Sequence, residues 1–424
     1  MRNRKLLNIL LLIILTVVFA SCKKNNPAPE PTEAEKARDE FYNIMKDWYL
    51  WYDKMPDVNL NDYHSPEELL EALRYKPLDK WSFITTVQAF QSYFKAGEYV
   101  GFGFGYSYDE SGNIYIAFVF KDSELYTKGV RRGWQITAVN GTPLQPFTNL
   151  SPLMGEDVAG LSRTFTFIKP DTVQTELTVI KDTVSMNAVL VADTLHVAGH
   201  TVGHLVFQTF VEPAIAELDS AFSFFKSVDA DRLIVDLRYN GGGDLDVANK
   251  LASLIAGSSN TGRIFIKFSH TYKMSQYDVN LNFTNEPYAL SLNSVIFLTS
   301  RGSASASESL ISGLKPYMNE VLIGDNTYGK PVGMHTWLYN NYAFVPVSFR
   351  MVNADGESDY YDGLPADDIV ADGLKYDFSD RREDRLSDAI YYIENGTFPA
   401  FKKAVMPNMP VPYYTGLRLE IGAL

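Results

Sequence analysis

Residues 232–256 read RLIVDLRYNGGGDLDVANKLASLIA, which is an apolar strand at 232–237, a glycine turn at 240–243 and an amphipathic helix at 245–256. Apolar strands and amphipathic helices alternate on both sides of this stretch. The further predicted elements are strands at 203–210, 295–298 and 321–323, a helix at 214–228, and a helix from the serine-rich string near 305 to Tyr317. Such alternation implies an α/β domain with a mostly parallel sheet, which we assign to residues 184–400.

Composition indicates a folded, multidomain protein. Of the 424 residues, 46% are hydrophobic and 21% are charged, which excludes disordered and collagen-like chains. The length predicts two to three domains of roughly 100–200 residues each. The formal net charge of −13 argues against a nucleic-acid partner, because sequence-independent binders need a basic surface.

The first residues have the pattern of a bacterial lipoprotein signal. Basic residues within 2–5 precede an apolar run at 6–20, which is shorter than the ~20 residues of a membrane span. Small residues then precede Cys22, the single cysteine of the chain. We therefore expect a signal peptide at 1–21, lipidation of Cys22, a Pro-rich tether at 22–36 and anchoring in the outer membrane. The alternative is an ordinary secretory signal with an incidental cysteine.

Residues 37–95 are predicted to form an N-terminal helical domain. Apolar residues recur at helical spacing from Phe41 to Tyr49. Ser65, followed by Pro66 and two glutamates, is typical of a helix start. The helical pattern extends to about Phe90.

Residues 96–183 have the pattern of a small β-rich domain. The string YVGFGFGY at 99–106 alternates apolar residues with glycine, and GVRRGWQITAVNG at 129–141 ends in an Asn-Gly turn. Further strands are expected at 114–120, 164–168 and 175–180. This order resembles a PDZ domain, which binds protein C-termini by adding the peptide as a strand. The resemblance assigns the peptide-binding loop to Gly101, Phe102, Gly103 and Phe104; the alternative is a glycine-rich edge strand without a ligand.

Two catalytic patterns are weak or absent. The spacing of His196, His200 and His204 could suggest zinc, but the flanking Thr, Val and Gly residues favour a hairpin with incidental histidines. We therefore expect no metal site. The chain contains no G-x-S-x-G string, so an α/β-hydrolase is not supported.

A third pattern points to a hydrolytic pair of a serine and a lysine. The string SASASE at 303–308 lies between a predicted strand and helix, and GDNTYGK at 324–330 follows downstream. A serine hydroxyl becomes nucleophilic when a base removes its proton. Lysine can be that base only when burial keeps it neutral, since its ordinary pKa is ~10.4. The helix start at Ala306 and the glycines at 241–243 offer N–H groups for an oxyanion.

The ordered motifs resemble those of the carboxyl-terminal processing, or tail-specific, serine proteases. They are the PDZ string, DLRYNGGG at 236–243, SASASE at 303–308, TYGK at 327–330 and GLPAD at 363–367. The resemblance runs from about Phe41 to about Ile369 and implies a PDZ domain followed by an α/β protease domain.

The resemblance also implies the roles of individual residues. Among the three serines of SASASE it implies Ser305 as the nucleophile, with Lys330 as the general base and N–H groups at Gly242 and Ala306 as the oxyanion hole. It implies no cofactor. Ser305 can also be a helix N-cap, with Glu308 closing a capping box.

One position departs from the family pattern. The family has a Gln four residues after the lysine, where this chain has Met334, and Met cannot donate a comparable hydrogen bond. On a strand, the neighbouring His335 would point to the other face.

We expect a lipid-anchored serine endopeptidase acting on proteins with an exposed C-terminus. The alternatives are a weak or inactive member that binds protein tails and a ligand-binding lipoprotein. The tail at 401–424 carries no recognised motif.

Overall fold

The computed structural model describes residues 30–400. The predicted signal peptide, Cys22, most of the tether and the tail at 401–424 lie outside the described residues. Between residues 30 and 400, no helix is both long and apolar enough to cross a bilayer.

Helices are present in every region of the described chain. They are α1 Glu33–Trp48, α2 Pro66–Leu73, α3 Val87–Gln91, α4 Glu124–Thr127, α5 Ser151–Met154, α6 Ala214–Ser227, α7 Leu245–Ala256, α8 Ala306–Leu314 and α9 Asp384–Asn395. Short 3-10 or π turns cover Tyr52–Lys54, Leu60–Asp62, Ser92–Ala96, Ser258–Asn260 and Tyr272–Tyr277.

A six-stranded sheet forms the centre of the α/β domain. Its strands, in spatial order, are β10 Val189–Val197, β11 His200–Phe207, β12 Arg232–Asp236, β15 Ser294–Thr299, β16 Asn319–Gly324 and β21 Asp368–Ile369. Only the β10–β11 pair is antiparallel, and the other four pairs are parallel. The predicted α/β class and mostly parallel sheet are therefore confirmed.

Helices cover both faces of this sheet. Helices α6, α7 and α8 pack with Leu233, Val235 and Phe297 on one face. Helix α9 packs with Ile234 and Ile296 on the other face. Adjacent strand residues point to opposite faces, so the continuous apolar run at 232–237 is explained by burial on both sides.

Smaller sheets flank the central one. The first contains β14 Val279–Asn282, β13 Ile264–Ser269, β20 Val347–Val352 and β17 Val332–Met334, and the second contains β1 Phe83–Thr86, β19 Tyr342–Val345 and β18 Trp337–Tyr339. The prediction of helix up to Phe90 is wrong at β1. This strand pairs with β19, some 260 positions later in the chain, so the local pattern could not reveal it.

Helices α1 and α2 pack onto these sheets. Thr32 and Glu35 form a capping box at the start of α1. As predicted, α2 begins with Ser65 as its cap and Pro66 in its first turn. Phe41, Tyr49 and Leu69 share an apolar cluster with Val332 and Phe344. The N-terminal helices therefore share a core with the strands that follow Lys330.

Residues 98–185 form the predicted β-rich domain. Its main sheet has the order β3 Phe104–Tyr108, β4 Ile114–Val119, β5 Gln135–Val139, β7 Ser162–Ile168 and β8 Gln174–Ile180, with β6 Thr142–Pro143 on β5. Strands β2 Glu98–Gly101 and β9 Asp182–Ser185 pair separately. The arrangement is PDZ-like, and β3 lies at the edge of the main sheet.

The spaced histidines lie on a hairpin. His196 is in β10, and His200 and His204 are in the antiparallel partner β11, which confirms the predicted hairpin. His200 Nδ1 contacts Asp231 at 2.6 Å and His204 Nδ1 contacts Asp193 at 3.1 Å. Between residues 30 and 400 there is no group of three or more His, Cys, Asp or Glu side chains arranged to hold a metal ion.

Candidate active site

Ser305 occupies a sharp turn between β15 and α8. Its φ of 55° and ψ of −111° lie outside the helical and extended regions. A positive φ is uncommon for a residue with a side chain, and such strained conformations cluster at functional sites. Ser305 is half-buried and stands at the N-terminal end of α8, where the helix dipole favours negative charge.

The other two serines of the SASASE string have structural hydrogen bonds. Ser303 and Ser307 are fully buried. Their hydroxyls donate to the backbone carbonyls of Leu237 and Asn240, each at 2.8 Å. These bonds fasten the start of α8 to the loop after β12, and they leave Ser305 as the one partly exposed serine of the three.

The glycine turn after β12 packs directly against Ser305. A Cβ on Gly242 would lie 2.8 Å from Cβ of Ser305 and 3.0 Å from the backbone N of Ala306, so this approach requires glycine. The Gly242 N–H donates to Oδ1 of Asn240 at 2.9 Å. Among the described residues, the N–H of Ala306 has no acceptor, as expected at the first position of a helix. Both predicted oxyanion residues therefore adjoin Ser305, and the Ala306 N–H is the one free to donate in this arrangement.

Lys330 is buried two residues before β17, with 3% of its surface exposed. Its loop reaches the serine turn, because the Tyr328 N–H donates to the carbonyl of Ser303 at 2.9 Å. A Cβ on Gly363 would lie 2.1 Å from the carbonyl oxygen of Thr327. The TYGK and GLPAD motifs are thus two loops in direct contact.

The buried carboxylate of Glu308 joins these two parts of the site. Its Oε2 accepts the backbone N–H of Ser305 at 3.0 Å and that of Lys330 at 2.8 Å. Its Oε1 accepts the Thr327 hydroxyl at 2.5 Å and the Gly329 N–H at 2.7 Å. Burial raises the pKa of Glu308, and these hydrogen bonds oppose the rise.

A buried charge cluster lies next to the glycine turn. Arg238 contacts Asp236 at 2.7 Å, Glu383 at 2.5 Å and Asp372 at 3.1 Å. Burial raises the pKa of Asp372, but the charges of Arg132 and Arg238 outweigh it and hold that pKa well below its usual range. Arg238 directly precedes the Tyr-Asn-Gly turn, so the cluster holds the start of this turn in place.

Arg132 brings the PDZ-like domain into this cluster. Its Nη2 lies 3.0 Å from Asp372 Oδ1, and its Nη1 donates to the Tyr239 hydroxyl at 2.7 Å. The Tyr239 hydroxyl in turn donates to Asp372. The two domains are therefore connected through buried polar contacts one residue before Asn240.

Met334, which stands at the position of the family glutamine, and the next residue, His335, both have contacts away from Lys330. Met334 packs against the cluster that contains Phe41 and Tyr49. Nε2 of His335 lies 2.9 Å from Nε2 of His270, and burial lowers the pKa of His335 to about 4, so this imidazole is neutral near pH 7.

The predicted peptide-binding loop lies between β2 and β3. Phe102 and Phe104 meet the ring of Phe165 edge-on, with ring centroids 5.4 Å and 5.7 Å apart. These side chains contribute to the core of the PDZ-like domain. Within residues 30–400, strand β3 pairs with β4 alone, so its outer edge can accept another strand.

Sequence reasoning identifies the serine and the lysine but misses the residues that hold them. The sequence predicts Glu308 only as the closing residue of a capping box, and the bond from the Ser305 N–H that this implies is confirmed. Asn240 fixes the glycine turn through a bond from the Gly242 N–H, and an Asn just before a glycine run is a signal for such a turn. The contact of Arg132 with Tyr239 has no local sequence signal.

Two family models match the chain. The model described as Peptidase family S41 matches residues 201–367, and the model described as Peptidase S41 N-terminal domain matches residues 37–83. Together they cover about half of the chain, and the first contains Gly242, Ser305, Glu308 and Lys330. The chain belongs to peptidase family S41. The recognition of the family from the ordered motifs is thereby confirmed.

Relatives of this S41 chain include processing proteases. It is 25% identical over 177 residues to the carboxyl-terminal-processing protease of Synechocystis sp., covering 42% of this chain and 39% of the relative. It is 24% identical over 234 residues to the carboxy-terminal processing protease CtpB of Bacillus subtilis, covering 52% of this chain and 45% of the relative. The chain thus spans less than half the length of these two curated relatives.

A solved S41 relative has the same fold. The crystal structure of an S41-protease relative from Bacteroides fragilis NCTC 9343 superposes with a TM-score of 0.69, covering 84% of this chain and 97% of that chain, at 22% identity. The similarity therefore extends over most of the described chain, including the PDZ-like domain between the two matched family regions.

Proposed function

We propose that this S41 chain is a serine endopeptidase in which Ser305 is the nucleophile and Lys330 the general base. The observation that carries the proposal is that the backbone N–H groups of both residues bond to the same buried oxygen of Glu308. Ser305 is partly exposed, as a nucleophile must be, and Lys330 is buried, as a neutral amine base must be.

The proposed reaction proceeds through an acyl-enzyme. Neutral Lys330 Nζ takes the hydroxyl proton of Ser305 while Oγ attacks the carbonyl carbon of the substrate, and the Ala306 N–H donates to the resulting oxyanion. The lysine ammonium then gives its proton to the leaving amine, and the C–N bond breaks. A water molecule, deprotonated by Lys330, then attacks the ester. The lysine ammonium returns this proton to Ser305 Oγ as the ester C–O bond breaks, which releases the second product and restores the neutral amine.

The fit of Gly242 against Ser305 gives a sharp prediction. Gly242→Ala is expected to lower kcat by about 10²-fold, because its Cβ would lie 2.8 Å from Cβ of Ser305 and 3.0 Å from the Ala306 N. Gly160→Ala is the matched control. Gly160 has a similarly positive φ of 88°, but apart from its chain neighbours no described residue comes within 4 Å of the place its Cβ would take. Steady-state kinetics of both variants test this fit, and an unchanged kcat in Gly242→Ala would contradict it.

The PDZ-like domain is proposed to bind the C-terminal tail of the substrate. The open edge of β3 can accept the tail as an added strand, and the backbone of Gly101, Phe102, Gly103 and Phe104 would hold the terminal carboxylate. The side chains of this loop are committed to the domain core, so recognition of the carboxylate falls to main-chain N–H groups.

The experiment that tests this function uses protein that starts after Cys22 and an unstructured protein ending in apolar residues. Cleavage is expected, together with slower cleavage of the same substrate carrying an amidated C-terminus. Binding without cleavage would favour a tail-binding scaffold. Absence of both would contradict the PDZ assignment and the peptidase assignment together.

The cell-envelope location rests on the first residues alone. We propose that Cys22 is lipidated and anchors the protein in the outer membrane. Partition of the full chain into a detergent phase, lost in Cys22→Ser, is the expected result, and equal partition of both proteins would contradict it.

A further inference from the structure

The carboxylate of Glu308 lies at the junction of the two elements that carry the proposed dyad. Helix α8 begins after Ser305, and the loop at 327–330 precedes β17. These elements are separate in the sequence, and both bond to the Glu308 side chain. Four donors converge on its two oxygens at distances from 2.5 to 3.0 Å.

The bond to Ser305 supports a conformation that the backbone would otherwise disfavour. Ser305 has φ 55° and ψ −111°, and such a geometry costs of order 1–3 kcal/mol unless the surroundings hold it. The Ser305 N–H points to Oε2 of Glu308. Glu308 therefore contributes to the angle at which the Ser305 side chain leaves the turn.

The bonds to Gly329 and Lys330 hold the start of the lysine side chain. A lysine side chain has a long flexible stem, so the position of Nζ depends on where its backbone is fixed. Two successive N–H groups, those of Gly329 and Lys330, are bonded to the two oxygens of Glu308. Movement of this carboxylate would therefore move both members of the dyad relative to each other.

Burying the Glu308 carboxylate costs folding free energy. Glu308 is fully buried, and a buried carboxylate is tolerated only when its hydrogen bonds are satisfied. A capping box alone could be built at an exposed helix start. The complete burial of Glu308 and its bonds to the lysine loop indicate that this carboxylate does more than cap helix α8.

We propose that Glu308 is a positioning residue that sets the geometry of Ser305 relative to Lys330. This role rests on the proposed function. It also accounts for how Lys330 can be held in a chain that has Met334 in place of the family glutamine, since the anchor acts on the lysine backbone. Glu308 itself does not touch the reacting atoms.

Two substitutions separate the contributions of this carboxylate. In Glu308→Gln, the amide oxygen can take the place of Oε2 and the amide nitrogen then faces the Gly329 N–H, so we expect kcat to fall about tenfold. In Glu308→Ala all four acceptor bonds are lost, and we expect kcat to fall by about 10²-fold or more. KM is expected to stay within about twofold in both, because the tail-binding domain is untouched.

Glu320→Gln is the matched control. Burial raises the pKa of Glu320 to about 8, so its side chain is largely protonated near pH 7 and Gln replaces it without a change of charge. Glu320 pairs with Val295 at the start of β15, whereas the serine turn follows the other end of that strand. The charged groups that shift its pKa belong to neither the serine turn nor the lysine loop. Its kcat is expected to equal that of the parent.

The measurements are kcat, KM and the rate at which a small fluorophosphonate reagent modifies Ser305, with near-UV circular dichroism to confirm folding. Parallel falls in kcat and modification rate at constant KM support the proposal, since a purely structural role would not spare KM. If Glu308→Ala does not fold, Glu308→Gln decides. A folded Glu308→Gln with the parent's kcat and modification rate overturns the proposal. If the parent neither cleaves nor is modified, the proposed function itself fails.

Discussion

Ser305→Ala is expected to abolish peptide-bond cleavage, with a loss of at least about 10³-fold in kcat. The substitution removes Oγ of Ser305, the atom proposed to form the acyl-enzyme. Folding should be unaffected, because Ser303 and Ser307, whose hydroxyls are the ones bonded to the Leu237 and Asn240 carbonyls, are unchanged. Binding of an apolar tail should also persist, since the PDZ-like domain is not altered.

Lys330→Met should give a loss of the same size. Methionine fills most of the volume of the buried lysine stem but has no amine to take the serine proton. The matched control is Lys80→Met, because Lys80 is exposed and lies in the N-terminal region. Cleavage assays with tail-binding measurements check both variants. Residual cleavage above one tenth of the parent rate in Ser305→Ala or Lys330→Met would contradict the assigned dyad.

Arg238→Met is expected to produce the largest loss of stability. Arg238 is buried and contacts three carboxylates, those of Asp236, Asp372 and Glu383. Removing one partner of a buried charge cluster leaves uncompensated charge and costs about 3–5 kcal/mol in the free energy of unfolding. Urea denaturation near pH 7 measures this loss.

The loss caused by Arg238→Met should depend on pH. The arginines lower the pKa of Asp372 and Glu383 in spite of their burial, so the stabilisation is present above the unfolded pKa of these groups and is lost as the pH falls through their folded pKa. The gap between the variant and the parent should therefore narrow in acid. Arg382→Met, at an exposed ion pair with Asp380, should change stability far less than Arg238→Met, because solvent screens an exposed pair. An equal effect of both substitutions would contradict the role of the cluster.

Local sequence patterns predicted the elements that are defined by nearby residues. Helix α7 begins and ends at the predicted residues, because Asp244 caps it and Gly257 follows it. Strand β12 and the turn after it follow from a doubly buried run that ends in glycines. Four strands of the central sheet, β11, β12, β15 and β16, could be predicted because each is a separate apolar run; the two-residue β21 Asp368–Ile369 has no such run and was not predicted.

Elements defined by distant contacts were not predicted. Strand β1 pairs with β19 far along the chain, and β17 to β19 are strands of three or four residues whose pattern is too short to interpret. Helix α8 ends at Leu314, before the expected Tyr317, and the Tyr317 N–H then donates to the Leu314 carbonyl in a tighter turn.

The candidate site shows the same division. Ser305, Gly242 and Lys330 lie in strings that can be recognised one at a time. The bonds from Glu308 to the lysine loop and from Arg132 to Tyr239 join residues far apart in sequence, so neither could be derived from spacing. The burial of Glu308 and Arg132 is a property of the folded chain, since it arises from residues that only the fold brings together.

The most direct test of the account is to map the site of covalent modification. Protein starting after Cys22 would be treated with a fluorophosphonate reagent, digested and analysed by mass spectrometry, beside Lys330→Met. We expect a single phosphonyl adduct on Ser305, with Ser303 and Ser307 unmodified, and loss of the adduct in Lys330→Met. An adduct on another serine, or an equal rate of modification without the lysine, would contradict the Ser305–Lys330 assignment.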